Sequence, residues 1–350
     1  MTANGGAATG PATLAQMDRR AIKGWRSLLG SLGPGIITGA ADDDPSGIST
    51  YTITGAAFGY ALLWTSLLTL PLIFAVQCIC ARIGLITRRG LAAVIAQRYG
   101  RRWLYPIVLL LFVANVVNIG ADIRAIAAVI ALLAPIPAVA LVAPVGVAIA
   151  VVEVVVPYHR FARLLKLLTL VIFAYVLSAL VARPDWGAAL RGTLAPRIAL
   201  DPATLATLVA ILGTTISPYL FFWQTSEEVE EEEDRETNGY HTATRALIGQ
   251  MRLDVGIGAG LANLGFYFVV LTSAATLHAA GRTDVQTAAD AAAALRPLAG
   301  NGATVLFALG IIGTGLLAVP VLAGSVAYAA AELFDWPEGL NRAFRRAPQF

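Results

Sequence analysis

The sequence is poor in charged residues and in sulfur. Charged residues make up 13% of its 350 positions, whereas 57% are hydrophobic and the mean hydropathy is +0.71. A soluble domain of this length cannot bury so much apolar side chain, so the composition excludes a soluble globular protein. Two cysteines are present, Cys78 and Cys80, and they would point about 200° apart on a helix. They therefore cannot bind one metal ion together.

The chain is equally short of histidine. His159, His241 and His278 are scattered through predicted connections without the spacing of a metal site. Residues 1–18 contain no apolar run, so we predict no cleavable signal peptide and interpret residues 1–30 as a disordered cytoplasmic tail. The net charge of +3 is too small to require a nucleic-acid partner.

The sequence does contain a series of apolar stretches of about 20 residues, the length at which a helix crosses the hydrocarbon of a bilayer. They predict an all-α membrane protein with one transmembrane domain, residues 31–335, and a cytoplasmic tail, residues 336–350. Clusters of small residues such as Gly256-Ile257-Gly258-Ala259-Gly260 predict close contacts between its helices. The predicted spans are about eight: 31–57, 59–82, 103–133, 137–157, 162–182, 203–226, 249–275 and 303–332.

The distribution of Lys and Arg predicts the orientation of these spans. Basic residues are concentrated before span 1 and in the connections between spans 2 and 3 and between spans 4 and 5. Because such connections stay inside the cell, we expect both termini in the cytoplasm and a multi-pass protein of the cytoplasmic membrane. The lipid bilayer is thus an expected partner, and nothing in the sequence indicates an oligomeric state.

Span 1 contains a polar interruption where it should be deepest in the membrane. Asp42, Asp43 and Asp44 are consecutive, and Pro45 and Gly47 follow them. A charged residue costs roughly 2.5–3.5 kcal/mol at the centre of a membrane helix, and three in a row cannot all face away from lipid. Pro45 also disfavours helical backbone at the residue before it. We therefore predict two half-helices joined by unwound backbone, which at membrane depth is tolerated only inside protein or beside water.

Span 6 carries a second interruption. Thr214, Thr215, Ser217 and Pro218 lie in the middle of an otherwise apolar stretch. Span 6 comes five spans after span 1 and runs antiparallel to it, as in an inverted repeat of five helices whose first helix is discontinuous. Half-helix carbonyls and an Asp carboxylate suit a cation, so the two breaks together predict a cation site within the membrane.

These residues resemble the motifs of a known family. The motifs are Gly33-Pro34-Gly35, Asp44-Pro45-Ser46-Gly47, Asp122 in span 3 and Pro218 in span 6. They are similar to those of the NRAMP family of divalent metal transporters, and more specifically of its magnesium transporter branch, over residues 25–335. The resemblance implies a LeuT-like inverted-repeat bundle with broken helices 1 and 6. Such a repeat has ten helices, so we expect a bundle shortened at its C-terminal side to about eight spans.

The resemblance also implies a metal site and a substrate. In the family, span 1 supplies an Asp and an Asn, and span 6 supplies a Met sulfur and an Ala carbonyl. Here Asp44 takes the Asp position, Gly47 replaces the Asn, Ser217 replaces the Met and Thr214 replaces the Ala, with Asp43 as a further candidate. Because carboxylate and hydroxyl oxygens suit hard cations, we expect uptake of Mg²⁺ and Mn²⁺ by alternating access. The transported ion is the only expected metal, and no cofactor is expected.

Proton coupling is expected to be weak or absent. Transporters of the family usually couple metal entry to protons through acidic and His residues in spans 3 and 6. Asp122 matches the span 3 Asp, but Ala125 replaces the Glu that follows it and Gln224 replaces the span 6 His. Because two of the titratable groups are replaced, the cation is expected to move down its electrochemical gradient.

Two other functions are compatible with broken spans. One is a carrier of a small organic substrate, which the acidic cluster of span 1 disfavours. The other is a metal-dependent intramembrane enzyme acting on a phosphorylated lipid, for which the span cores offer only Asp122, Arg124 and Glu153 as further titratable groups. A separate acidic run, Glu227–Asp234, follows span 6, and we interpret it as a solvated extension rather than a surface that senses cations.

Overall fold

The computed structural model describes residues 33–350, except for 157, 197–198, 200, 238–243, 341, 343–346, 348 and 350. The predicted N-terminal tail, residues 1–30, lies outside the described residues, as does His241. Nearly all of the described chain is helical. Seven stretches of the described chain, counting consecutive helices as one, are long and apolar enough to cross a membrane.

The helices are short at the two breaks and long elsewhere. A 3₁₀ turn, Thr169–Val171, joins α7 to α8, and a π-helical turn, Ala274–His278, follows α12. In chain order the helices are α1 (Pro34–Ala41), α2 (Pro45–Phe58), α3 (Trp64–Thr87), α4 (Leu91–Tyr99), α5 (Arg101–Leu133), α6 (Ala138–Val155), α7 (Tyr158–Leu168), α8 (Ile172–Ala182), α9 (Trp186–Leu194), α10 (Pro202–Thr215), α11 (Pro218–Thr237), α12 (Thr244–Ser273) and α13 (Ala288–Phe334).

The arrangement confirms about eight spans with breaks in the first and the sixth. α1 and α2 together form span 1, because 8 and 14 residues are each too few to cross about 30 Å of hydrocarbon. α3, α5 and α6 are spans 2, 3 and 4, and α7 with α8 forms span 5. α10 and α11 are the two halves of span 6, and α12 and α13 are spans 7 and 8.

Some helix boundaries differ from the prediction. Gly59 has a φ of +59° and ends α2, so span 2 begins at Trp64 rather than at residue 59. The chain before span 8 is helical from residue 288, because Thr287 and Asp290 form a capping box. A kink at Gly300, with a φ of +82°, separates this helical segment from the span itself. The short helices α4 and α9 lie in the connections between spans 2 and 3 and between spans 5 and 6, where the sequence predicts no helix.

Span 8 is the central helix of the bundle. α13 packs against α2, α5, α8 and α11, whereas α6 packs mainly on α5 and is otherwise exposed, as expected for a lipid-facing helix. Glycines make the close contacts possible. A β-carbon on Gly310 would overlap the Tyr175 ring, and one on Gly324 would overlap the Trp223 ring. Small residues therefore determine how near the neighbouring helices approach span 8.

Most of the acidic run after span 6 is buried or half-buried, so the prediction of a solvated extension was wrong. α11 continues through it to Thr237. Its carboxylates are accommodated by side chains from its own helix and from span 8: Gln224 Nε2 donates to Glu228 Oε1 (2.9 Å), and the Tyr328 hydroxyl donates to Glu230 Oε1 (2.5 Å). The buried members of the run include Glu227, Glu228, Glu230 and Glu232.

Candidate metal-binding site

The break in span 1 is organised by Asp44. α1 ends at Ala41, and Asp44 is the N-cap of α2, with extended backbone at φ −62° and ψ 161°. Its Oδ1 accepts hydrogen bonds from the Gly47 N–H (2.6 Å) and the Ser46 hydroxyl (2.7 Å). Pro45 occupies the first helical position, where a missing N–H costs nothing. The predicted break therefore has the physical origin expected from its sequence.

The break in span 6 lies where the sequence predicts it. α10 ends at Thr215, and Ile216 leaves the helical region with a φ of −118° and a ψ of 61° before α11 begins at Pro218. The Ser217 hydroxyl donates to the Thr214 carbonyl (2.7 Å) across the gap. The carbonyl groups at the end of α10 and the hydroxyls of the break thus lie together, away from regular helix.

The two breaks meet at Gly47. A β-carbon on Gly47 would lie 3.1 Å from Thr214 Oγ1, 3.2 Å from Asp44 Oδ1 and 3.3 Å from the Asp42 carbonyl oxygen. On the other side, the Tyr219 hydroxyl at the start of α11 donates to the Ala41 carbonyl at the end of α1 (2.9 Å). The second half of span 6 is therefore hydrogen-bonded to the first half of span 1. Oxygen atoms from both breaks surround Gly47.

Asp43 lies somewhat apart from this group. Its carboxylate packs against span 7, where a β-carbon on Gly265 would overlap Asp43 Oδ2. The structure thus brings Asp44, Gly47 and Thr214 together, places Ser217 beside Thr214, and directs Asp43 toward span 7.

The site is acidic and buried. Asp42, Asp43, Asp44 and Asp122 are each at most 3% exposed. Asp122 Oδ1 accepts from the Ser46 N–H (3.2 Å), which joins span 3 to the break in span 1. Among the described residues, no hydrogen-bond partner exists for either carboxylate oxygen of Asp42 or Asp43. Ionised carboxylates are costly to bury without compensation, so this cluster of carboxylates favours a positive charge beside it.

Metal binding here would depend on more than carboxylates. Within the described part of the chain, no three His, Cys, Asp or Glu side chains are close enough to hold a metal ion. A cation at the breaks would therefore use one carboxylate with hydroxyl and backbone oxygens and retained water, which is the donor set of Mg²⁺ rather than that of zinc.

Asp254 is a further titratable group within a span, and it is absent from the sequence predictions. It is buried in α12, and its Oδ2 accepts from the Gly35 N–H (2.6 Å) at the start of α1. The first N–H groups of a helix have no partner within the helix, so a carboxylate there stabilises its end. A charged residue inside an apolar span is a recognisable signal, and it could have identified Asp254.

We expect Asp254→Ala to destabilise the protein by about 1–3 kcal/mol, because it leaves a buried N–H of α1 without an acceptor. The midpoint of thermal unfolding in detergent micelles measures the effect. Asp254→Asn is the matched control: its amide oxygen can still accept from Gly35, so its midpoint should fall by clearly less. Equal, unchanged midpoints in both variants would show that this hydrogen bond does not hold α1 in place.

Comparison with known proteins gives a family and a fold. The family described as natural resistance-associated macrophage protein-like, Nramp, matches residues 35–348. A divalent metal cation transporter MntH of Yersinia pestis (strain Pestoides F) is 28% identical over 331 residues, covering 92% of this chain and 78% of the relative. The MntH of Deinococcus radiodurans is 29% identical over 344 residues, covering 94% and 75%.

A solved structure has the same fold. The manganese transporter of Eremococcus coleocola, in complex with an aromatic bis-isothiourea substituted compound, superposes with a TM-score of 0.74. The superposition covers 94% of this chain and 70% of that one at 19% identity. At this identity the likeness concerns the fold, and it agrees with the inverted-repeat bundle predicted from the two breaks.

Proposed function

Because the chain belongs to the Nramp family, we propose that it takes up divalent metal cations, Mg²⁺ and Mn²⁺, across the cytoplasmic membrane by alternating access. It is a transporter rather than an enzyme, which sets aside the lipid-modifying alternative. The relatives described above are divalent metal cation transporters by name, and the structural neighbour is a manganese transporter. The observation that carries the proposal is the meeting of oxygen atoms from both broken spans at Gly47.

We assign five residues to the metal site. Asp44 supplies the charge, and Thr214 and Ser217 supply hydroxyl or carbonyl oxygens from the facing break. Gly47 allows these oxygens to approach closely, because a β-carbon there would lie 3.1 Å from Thr214 Oγ1. Asp43 adds negative charge from its place against span 7. The arrangement follows the general design of transporters in which discontinuous helices bind the substrate near the membrane midplane.

The donor set supports hard cations. All of the proposed donors are oxygen atoms, and Ser217 stands where the family has a sulfur ligand. Thioether sulfur favours later, softer transition metals, whereas carboxylate, hydroxyl and carbonyl oxygens suit Mg²⁺ and Mn²⁺. Mg²⁺ releases its waters reluctantly, which agrees with a site that has one close carboxylate and a glycine in place of a larger ligand.

We infer that the metal moves without obligatory proton exchange. Gln224 is fully buried and donates through its amide to Glu228, and Ala125 carries no titratable group. An inside-negative potential would favour entry of a divalent ion by about 4.6 kcal/mol per 100 mV, which is sufficient to drive uptake. Both termini are placed in the cytoplasm in this proposal, as the basic connections indicate.

Transport by purified protein in liposomes tests the function. Mg²⁺ and Mn²⁺ are expected to enter when a potassium diffusion potential makes the interior negative, whereas a pH gradient alone should add no uptake. Cd²⁺, a softer ion, should enter more slowly than Mn²⁺. Entrapped fluorescent indicators report the flux, and liposomes without protein give the background. An absence of metal flux, or competition by an amino acid or organic cation, would favour the organic-substrate carrier instead.

A further inference from the structure

A polar cavity lies at one end of the bundle, apart from the breaks. It has a volume of about 520 Å³ and is formed by α11, the end of α13, the segment after α13 and the start of α4. Ser226 marks its position: it comes nine residues after Ser217 along the chain, or about 13 Å along a helix. Carboxylates outnumber guanidinium groups on its walls, with Glu230, Glu233, Glu332, Asp335 and Glu338 against Arg88, Arg89 and Arg342.

Several of these carboxylates converge on Glu338. The pKa of Glu338 is raised to about 8, first by burial and then by the charges of Glu332, Glu230 and Glu233, which outweigh the lowering by Arg342. Carboxylates that shift one another's pKa lie close together, at most about 10 Å apart. The cavity therefore brings carboxyl groups from three separate segments of the chain close together.

A buried hydroxyl faces the same region. Ser226 is only 5% exposed, it lines the cavity, and its Oγ has no hydrogen-bond partner among the described residues. It lies close to Glu332, since a β-carbon on Gly90 would be 2.8 Å from Ser226 Oγ and would overlap Glu332 Oε1. Buried polar atoms are nearly always satisfied, so an unpartnered hydroxyl beside carboxylates points to a ligand that oxygen atoms bind.

The carboxylates also have unused oxygens. Glu332 Oε2 accepts from the Ala93 N–H (2.9 Å) at the start of α4, but Glu332 Oε1 is buried without a partner in the described part of the chain. Glu338 Oε2 is likewise buried and has no hydrogen-bond partner among the described residues. Two carboxylate oxygens and one hydroxyl oxygen, from α11, α13 and the following segment, are thus available on the walls of one cavity.

We propose that this cavity binds a hydrated divalent cation, Mg²⁺ or Mn²⁺, through Glu332, Glu338 and Ser226. No three His, Cys, Asp or Glu side chains of the described chain are close enough to bind a bare ion, so part of its water shell must be kept. Mg²⁺ is usually bound in this way, through one or two carboxylates and several waters. Six waters occupy roughly 180 Å³ at about 30 Å³ each, which the cavity accommodates. The ion would join the second half of span 6 to the end of span 8.

The number of Mn²⁺ ions bound to the purified full chain tests this inference. Bound Mn²⁺ loses the six-line electron paramagnetic resonance signal of the free ion, so a titration counts the sites. We expect two ions on the wild type, one on Asp44→Asn, one on the double variant Glu332→Gln/Glu338→Gln, and none when all three changes are combined. Added Mg²⁺ should displace both ions. Asp284→Asn, which changes an exposed carboxylate between spans 7 and 8, should leave both ions in place.

The outcomes separate this site from the transport site. A single ion on the wild type that only Asp44→Asn removes would overturn the second site and leave the proposed function intact. Two ions on Asp44→Asn would overturn the role of Asp44 in the transport site and leave the second site intact. Glutamine at position 332 keeps an acceptor for the Ala93 N–H. If the double variant nevertheless does not fold, the double variant Ser226→Ala/Glu338→Gln replaces it, and we expect it to bind the second ion at least tenfold more weakly. Unchanged binding by that variant would overturn the inference.

Discussion

Replacing Asp44 with asparagine is expected to reduce Mg²⁺ and Mn²⁺ uptake to the background of empty liposomes. Asp44 Oδ1 lies where the two breaks meet: a β-carbon on Gly47 would be 3.2 Å from Asp44 Oδ1 and 3.1 Å from Thr214 Oγ1. Removing its charge leaves a dication to be bound by neutral oxygens within the membrane, where uncompensated charge is costly. Indicator fluorescence in liposomes with an inside-negative potential measures the loss.

Asp44→Ala serves as the companion variant because Asp44 also caps α2. Asparagine is as good an N-cap as aspartate, whereas alanine loses the hydrogen bonds to Gly47 and Ser46 at a cost of about 1 kcal/mol. Both variants should lose transport, and only the alanine variant should also unfold at a lower temperature. Substantial uptake by Asp44→Asn would mean that its charge is not required for metal passage.

Gly258→Ala is expected to destabilise the protein by about 1–3 kcal/mol, the range for overpacking a tight contact. A β-carbon on Gly258 would overlap the Gly35 carbonyl oxygen, and one on Gly39 would overlap the backbone of Gly258. α1 and α12 therefore touch through their backbones, which cannot give way as a flexible side chain would. Because α1 carries the chain to Asp44, this variant should also impair transport.

Gly260→Ala is the matched control for that prediction. Gly260 lies two residues further along α12, and a β-carbon there would have no atom within 4 Å. Alanine is preferred over glycine in a helix by up to about 1 kcal/mol, so this variant should be neutral or slightly stabilised. Thermal unfolding of the two variants in the same detergent gives the comparison. Equal midpoints would show that α1 can move away from α12 at little cost.

The breaks could be predicted from sequence because their causes are local. Three aspartates before Pro45 disfavour a continuous membrane helix, and Pro218 disfavours helical backbone at the residue before it, so both predicted breaks agree with the structure. The antiparallel relation of the two spans then indicated that the breaks would face each other. That oxygen atoms of both breaks surround Gly47 required the structure, since side-chain register across two helices is not set by spacing within either one.

The fate of the acidic run could not be deduced in the same way. A block of like charge is ordinarily solvated, and its burial here depends on groups about 100 residues away, the Tyr328 hydroxyl and the Leu340 N–H, which both donate to Glu230. The cap that Asp254 provides for α1 is equally long-range, since 219 positions separate it from Gly35. Sequence patterns locate charges along a chain, but the partners that make their burial tolerable come from the tertiary structure.

Diffraction data collected at the manganese absorption edge from crystals grown with Mn²⁺ test the central claim most directly. We predict an anomalous peak between the two breaks, within about 2.0–2.6 Å of an Asp44 carboxylate oxygen and near the Thr214 and Ser217 oxygens. The peak should be absent from crystals of Asp44→Asn. Anomalous density found only in the cavity beside Glu332, with none between the breaks, would contradict the assignment of the transport site.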